Sequence, residues 1–309
     1  MNNWTTKDIP SQTGKLAVIT GATGGLGFET ALALAGANAE VILTGRNAQK
    51  GQDALRRIRA EYPHAKLRFE ALDLASLASV ADLSRRLNAE ARPIDLLINN
   101  AGVMALATRQ VTADGFEKQL GTNYLGHFAL TAQLLPLLRG SRVVNLSSIA
   151  HRNGRIDFDD LQGKQRYRPW TIYAQSKLAM LMFALELQRR SDAEGWGITS
   201  IAAHPGWART ELIANGPGTQ GIQGMVTRLL IPLFSHSAAD GALPILFAAT
   251  APEAKASGYY GPNGFYEMKG PVAAARIMPQ ASDAAVAARL WDVAAKLTGV
   301  NWKQEKDAR

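Results

Sequence analysis

The stretch Lys15-Leu-Ala-Val-Ile-Thr20, running directly into Gly21-Ala-Thr-Gly-Gly-Leu-Gly27, restricts the possible folds more than any other part of the chain. A short continuous apolar run, a glycine-rich turn and a helical stretch from Phe28 to Ala35, closed by Gly36 as a C′ residue, predict a strand–turn–helix unit. Such a unit is an anion-binding device. Backbone N–H groups and the positive helix end face the ligand, and glycines let its phosphates approach. The candidate cradle is Gly21, Thr23, Gly24, Gly25, Leu26 and Gly27. The spacing is Gly21-x-x-x-Gly25-x-Gly27 with no Gly-Lys-Ser/Thr, which excludes a P-loop.

Strands and helices alternate through the rest of the chain. Further strands are expected at Ala39–Thr44, Lys66–Ala71, Ile94–Ile98, Ser141–Leu146, Ile198–Ala203 and Gly258–Gly261. Helices are expected over Ala48–Glu61, Leu77–Glu90, Phe116–Leu138, Tyr173–Arg190 and Ser282–Leu297. No linker or internal repeat interrupts them. The fold class is therefore α/β: a single Rossmann-type domain over residues 1–309, a doubly wound parallel sheet of about seven strands. Polar motifs fall just past strand ends, the edge where such sheets bind ligands. After the second strand comes Gly45-Arg46-Asn47, with no acid to hold a ribose 2′-hydroxyl, so Arg46 points to a 2′-phosphate and NADP(H). Asp73-Leu74 follows the third strand, where Asp73 either meets the adenine or caps the helix at Leu77. Asn99-Asn100-Ala101-Gly102 closes the fourth strand, as ligand crevice or ordinary turn.

Tyr173 and Lys177 lie four residues apart on a helical run, so they share one face. An ammonium close to a phenol favours the phenolate and lowers its pKa, which makes tyrosine a usable acid or base. Composition narrows the alternatives. The chain has no cysteine, which removes thiolate metal sites and a catalytic thiol and suits a reducing compartment. Net charge is +8, but the basic residues are scattered in ones and twos, so a solvated surface fits better than a nucleic-acid stripe. Met1–Ser11 has no signal-like apolar core. The runs Leu178–Leu185 and Gly241–Ala251 are too short to span a bilayer, so a cytoplasmic location is expected. His127, His151 and His204 lack carboxylates at ligand spacing, and no metal is expected; His204 is read as ordering the turn before Pro205.

Taken together, Thr20-Gly21-x-x-x-Gly25-x-Gly27, Asn99-Asn100-Ala101-Gly102, Ser148, Tyr173-x-x-x-Lys177 and Pro205-Gly206 resemble the short-chain dehydrogenase/reductase family. Asn123-Tyr-Leu-Gly-His-Phe128, the segment Ala150–Thr171 and His204-Pro-Gly206 resemble its retinol-dehydrogenase-like branch. The resemblance implies a tetrad. Ser148 bonds the substrate oxygen, and Tyr173 passes the proton. Lys177 lowers the tyrosine pKa and bonds the nicotinamide ribose, and Asn123 holds a water of the relay. It also implies cofactor contacts from Asn100, Ala101, Gly102, Tyr173, Lys177, Pro205 and Gly206, and it favours Ser148 over Ser147. The Arg152–Trp170 segment is longer than usual for the family and is expected to cover helices that many relatives use to dimerise.

The resemblance also implies a substrate cover over residues 207–235, and apolar Trp207, Leu212, Met225, Leu229 and Phe234 between glycines suit a mobile one. Met104 and Trp170 join the pocket wall. The expected substrate is a small-molecule, bulky apolar ketone, aldehyde or secondary alcohol. The C-terminal segment 270–309 carries a helix that packs on the sheet or on a partner, as a monomer or homodimer. An epimerase or dehydratase on the same scaffold, or a cofactor-binding regulator without turnover, stays open as an alternative.

Overall fold

A computed structural model describes residues 3–208 and 236–302. Its centre is an eight-stranded sheet in the order β3-β2-β1-β4-β5-β6-β7-β8. The strands are β1 (Leu16–Ile19), β2 (Glu40–Gly45), β3 (Leu67–Ala71), β4 (Leu96–Asn99), β5 (Arg142–Leu146), β6 (Thr199–Ala203), β7 (Tyr259–Pro262) and β8 (Val272–Ala274). All neighbours pair in parallel except β7 and β8, which are antiparallel. The strand order reverses at β1 and β4, opening a crevice at their carboxyl ends.

Alternate residues of each central strand serve opposite faces. Val18, Ile42, Leu97 and Val143 enter one core with Leu83, Phe128, Leu178 and Phe183. Ile19, Val41, Ile98 and Val144 enter the other with Leu34, Ile58, Ile245 and Phe247. The first core is covered by α3 (Leu77–Ala89), α5 (Gly126–Gln133) and α6 (Pro169–Glu194). The second is covered by α1 (Gly25–Gly36), α2 (Ala48–Glu61) and α7 (Ala238–Thr250).

Several boundaries differ from expectation. Helix α1 begins at Gly25 and includes Gly36; the left-handed turn falls on Asn38, at φ 70°. The expected helix Phe116–Leu138 is broken into α4 (Lys118–Leu120), a π-helical turn (Gly121–Leu125) and α5, with a short 3₁₀ turn at Leu135–Leu137. Helix α6 starts at Pro169, a favoured first-turn residue, and ends at Gly195 in the left-handed conformation. Strand β8 is additional.

The C-terminal helix α8 (Ala284–Thr298) packs on α5 and α6, not on the sheet. Trp291 lies 5.0 Å from the Phe128 ring and 5.7 Å from that of Phe183, and Trp302 lies 5.1 Å from Phe128. Ile156 and Leu161 of the 152–170 segment join the same core, but the tryptophans of the C-terminal region supply its bulk. The expected substrate cover lies outside the described residues beyond Ala208. Among the described residues, no helix is long and apolar enough to cross a membrane.

Candidate active site

A cleft of about 1420 Å³ lies along the carboxyl ends of β1, β2, β4, β5 and β6. That exceeds the roughly 300–1,000 Å³ of an ordinary small-molecule pocket, and it accommodates a dinucleotide beside a substrate. The Gly21–Gly27 turn, Arg46, Asp73-Leu74 and Asn100–Gly102 line it, as do Ser148, Tyr173, Lys177, Pro205-Gly206, Met104, Trp170 and Trp207. Asn123 does not. It is fully buried behind the wall.

The glycine turn fits a phosphate. The N-cap of α1 is Gly24, with no side-chain cap bond, whereas Asn47, Ser76, Ser237 and Asp283 cap α2, α3, α7 and α8. The first N–H groups of α1 are therefore left for a ligand. A Cβ on Gly24 would meet nothing within 4 Å, so open cleft faces the helix end, whereas one on Gly27 would strike the Gly21 carbonyl and the Asn100 amide. Arg46 is exposed at the end of β2 and makes no ion pair among the described residues. Asp73 is not the helix cap: Ser76 caps α3, and the Asp73 carboxylate accepts the Ala75 N–H at 3.0 Å. The buried Asn100 Oδ1 and Thr122 Oγ1 both lie on cleft-lining residues and have no hydrogen-bond partner among the described residues.

A hydroxyl and an imidazole fix the loop after β4. Thr20 Oγ1 accepts the N–H groups of Asn100 and Ala101, each at 2.9 Å, and faces His127 Nε2 at 2.8 Å. His127 Nδ1 donates to the Asn123 carbonyl at 2.9 Å, so Nε2 is the acceptor for Thr20. Burial lowers the His127 pKa to about 4, and the ring is neutral. The Asn123 amide is fully used. Val103 N donates to its Oδ1 at 2.7 Å, and its Nδ2 donates to Val103 O and Ser176 Oγ, each at 2.9 Å.

Ser147 turns inward and donates to the Lys177 carbonyl at 2.8 Å. Ser148 faces the cleft beside Tyr173, and its hydroxyl favours the phenolate. Lys177 Nζ donates to the Leu146 carbonyl at 3.0 Å and lies 5.9 Å from the Tyr173 ring centre. Burial dominates both groups: the phenol is pushed up to about 12 and the ammonium down to about 8. Desolvation of the phenolate outweighs the help from Ser148, so the net shift of Tyr173 is upward. A neutral phenol is the form of a proton donor.

Sequence reasoning missed the outer wall. Tyr266, Met268, Arg276 and Met278 come from the β7–β8 hairpin and the chain beyond it, and Arg152 from the turn after Ser148. No periodicity or motif marks them, since only chain reversal brings them to the cleft. His204 does order its turn, accepting the Gly206 N–H at Nδ1 (3.1 Å). Among the described residues no group of His, Cys, Asp and Glu is placed to hold a metal.

The short chain dehydrogenase family model matches residues 15–219. The chain belongs to this family of oxidoreductases. Its relatives place it in the retinol-dehydrogenase-like branch. It is 42% identical over 298 residues to a mouse polyprenol dehydrogenase, covering 94% of this chain and 86% of that protein. It is 41% identical over 293 residues to mouse retinol dehydrogenase 13, covering 93% and 84%. A solved structure of an uncharacterized protein from Mycobacterium paratuberculosis superposes with TM-score 0.82 at 38% identity, over 98% of this chain and 100% of that one. The NADP complex of Pseudomonas aeruginosa RhlG superposes with TM-score 0.64 at 26% identity, over 83% and 98%.

Proposed function

We propose that the protein is an NADP(H)-dependent carbonyl reductase or alcohol dehydrogenase acting on bulky apolar ketones, aldehydes or secondary alcohols. The observation that carries this is one cleft lined both by Ser148 with the buried Tyr173 and Lys177 and by the uncapped α1 terminus and Arg46. Gly21–Gly27 and Arg46 would hold the phosphates, and Asn100–Gly102, Lys177 and Pro205-Gly206 the nicotinamide half. Bound there, the nicotinamide supplies or accepts a hydride.

Ser148 holds the substrate oxygen, and the neutral Tyr173 phenol delivers the proton to it as negative charge develops. Lys177 keeps positive charge beside that oxygen. The RhlG–NADP complex supports the cofactor, as does the missing acid after β2. The apolar wall of Met104, Trp170, Trp207, Met268 and Met278 supports the substrate class. So do two relatives named for polyprenol and retinol, both long apolar alcohols. A cysteine-free chain suits cytoplasmic work.

The test is NADPH consumption across aliphatic and aryl ketones and aldehydes, with Tyr173→Phe alongside. Turnover should fall by roughly 10²–10⁴-fold in the variant, with NADPH affinity kept within about threefold. Tight NADPH binding unaltered by the substitution, with no wild-type turnover, would point instead to a cofactor-binding regulator. Substrate isomerisation or dehydration without net NADPH loss would point to an epimerase or dehydratase.

A further inference from the structure

The carboxylate of Glu267 collects donors from three separate parts of the chain. His204 Nε2, just past β6, lies 2.9 Å from Oε2. Arg152, four residues past Ser148, places a guanidinium nitrogen 2.7 Å from the same oxygen. The Arg276 N–H, beyond β8, donates to Oε1 at 3.0 Å. Every partner is a donor: His204 Nδ1 already accepts the Gly206 N–H, so Nε2 carries the proton. Burial pushes the Glu267 pKa up, but these donors and the Arg152 charge outweigh it and hold the carboxyl below its usual range.

The backbone at this point is strained. Tyr266 and Glu267 are consecutive non-glycine residues in the left-handed region, at φ 49° and 59°. Such a pair persists only where surrounding contacts over-determine it. It turns Tyr266 and Met268 toward the cleft. Arg152 reinforces the turn by donating to the Tyr266 carbonyl at 3.3 Å. The same turn seats the hairpin on the cofactor side: Trp207 N donates to the Met268 carbonyl at 2.7 Å. Gly206, at φ 66°, lies so close that any Cβ there would strike that carbonyl.

We infer that Glu267 is a positioning residue: it latches the Tyr266–Met268 wall to the loops after β5 and β6, and so sets the size and shape of the substrate the cleft accepts. The inference rests on the proposed reductase function. It goes beyond that function by assigning size selection to a carboxylate that touches neither substrate nor cofactor.

Glu267→Gln in the full-length protein is the decisive variant. It keeps the volume but has one acceptor oxygen, so in either orientation its NH₂ group faces a donor. Glu267→Ala serves as a second variant. Two measurements are made: kcat and KM for propanal and for a long aliphatic or aryl ketone, and backbone hydrogen exchange without substrate. The expected result is a KM for the bulky ketone raised by roughly tenfold or more, with kcat and the propanal KM within about threefold. Exchange should quicken at Trp207 and across 264–268 while β1–β6 stay protected. Equal KM changes for both carbonyls, a loss in kcat alone, or unchanged exchange at Trp207 would overturn the latch. Exchange quickened throughout the sheet would reduce Glu267 to a general stabiliser and overturn it equally. If the wild type reduced no carbonyl, the reductase reading would fall, and the exchange result would still decide whether Glu267 holds the wall.

Discussion

Lys177→Met should make the protein more stable and nearly inactive. The Lys177 side chain is 4% exposed, and burial alone moves its pKa from 10.5 to about 8. At 1.36 kcal/mol for each factor of ten in acidity, holding the ammonium in the folded state at neutral pH costs about 3 kcal/mol. Methionine has nearly the same length and no charge. It forfeits the bond to the Leu146 carbonyl, worth about 1 kcal/mol. The net gain is about 2 kcal/mol, or about 3 °C in Tm for a chain of this size.

The pH dependence identifies the cause. The folded-state pKa lies below the unfolded one, so between about pH 8 and 10.5 the folded protein binds fewer protons and its stability rises with pH. The penalty is complete below pH 8 and gone above 10.5. The assay is thermal unfolding without cofactor at pH 7 and pH 10 for both proteins, so that other titrations cancel in the difference. The variant's advantage should be near its full size at pH 7 and mostly lost at pH 10, with carbonyl reduction down by at least roughly 10²-fold. A variant less stable at pH 7, or an advantage that does not shrink with pH, would show that the buried lysine is not a destabilising charge.

Two further outcomes follow from the same cleft. Arg46→Asp removes the cation at the end of β2 and puts an acid where a 2′-phosphate would sit. NADPH should bind roughly 10–100-fold more weakly by fluorescence titration while NADH changes by less than about threefold. Equal losses would reject the role given to Arg46. Tyr173, with its pKa near 12, should leave the rate of carbonyl reduction flat from pH 5 to 7. A decline should come only as Lys177 loses its charge around pH 8, while alcohol oxidation climbs with pH. A reduction rate that already falls away around pH 6, well below the Lys177 titration, would mean that the phenol titrates far lower when the enzyme is loaded.

What the sequence makes legible is what repeats or what is local. The buried strands announce themselves because both faces are covered, leaving runs such as Leu-Ala-Val-Ile without polar interruption. The glycine turn is local, so its position at the cleft could be read from the chain. Tyr173 and Lys177 share a face because helical spacing requires it. The sign of the tyrosine's pKa shift could not be read, because desolvation depends on what the rest of the fold places around the ring. Strand β8 is three residues long and only partly buried, too little for a pattern. The outer wall escapes for a related reason: Tyr266, Met268 and Arg276 become neighbours of Ser148 only after β7 and β8 reverse the chain.

The π-helical turn at Gly121–Leu125 connects these observations. A helix read at 3.6 residues per turn through Phe116–Leu138 gives Asn123 no special place. The π turn, closed by Gly126 N–H on the Gly121 carbonyl, shifts that spacing where Asn123 stands. Its amide then bridges Val103, on the loop after β4, to Ser176, one residue from Lys177. Its carbonyl meets His127, whose ring reaches Thr20 and through it the N–H groups of Asn100 and Ala101. Every polar atom of the Asn123 side chain is spent on joining the loop that would carry the nicotinamide half to the helix that carries Tyr173 and Lys177. The distance between Gly102 and Lys177, on which the proposed hydride transfer would depend, is therefore set from behind the wall by a residue that does not line it.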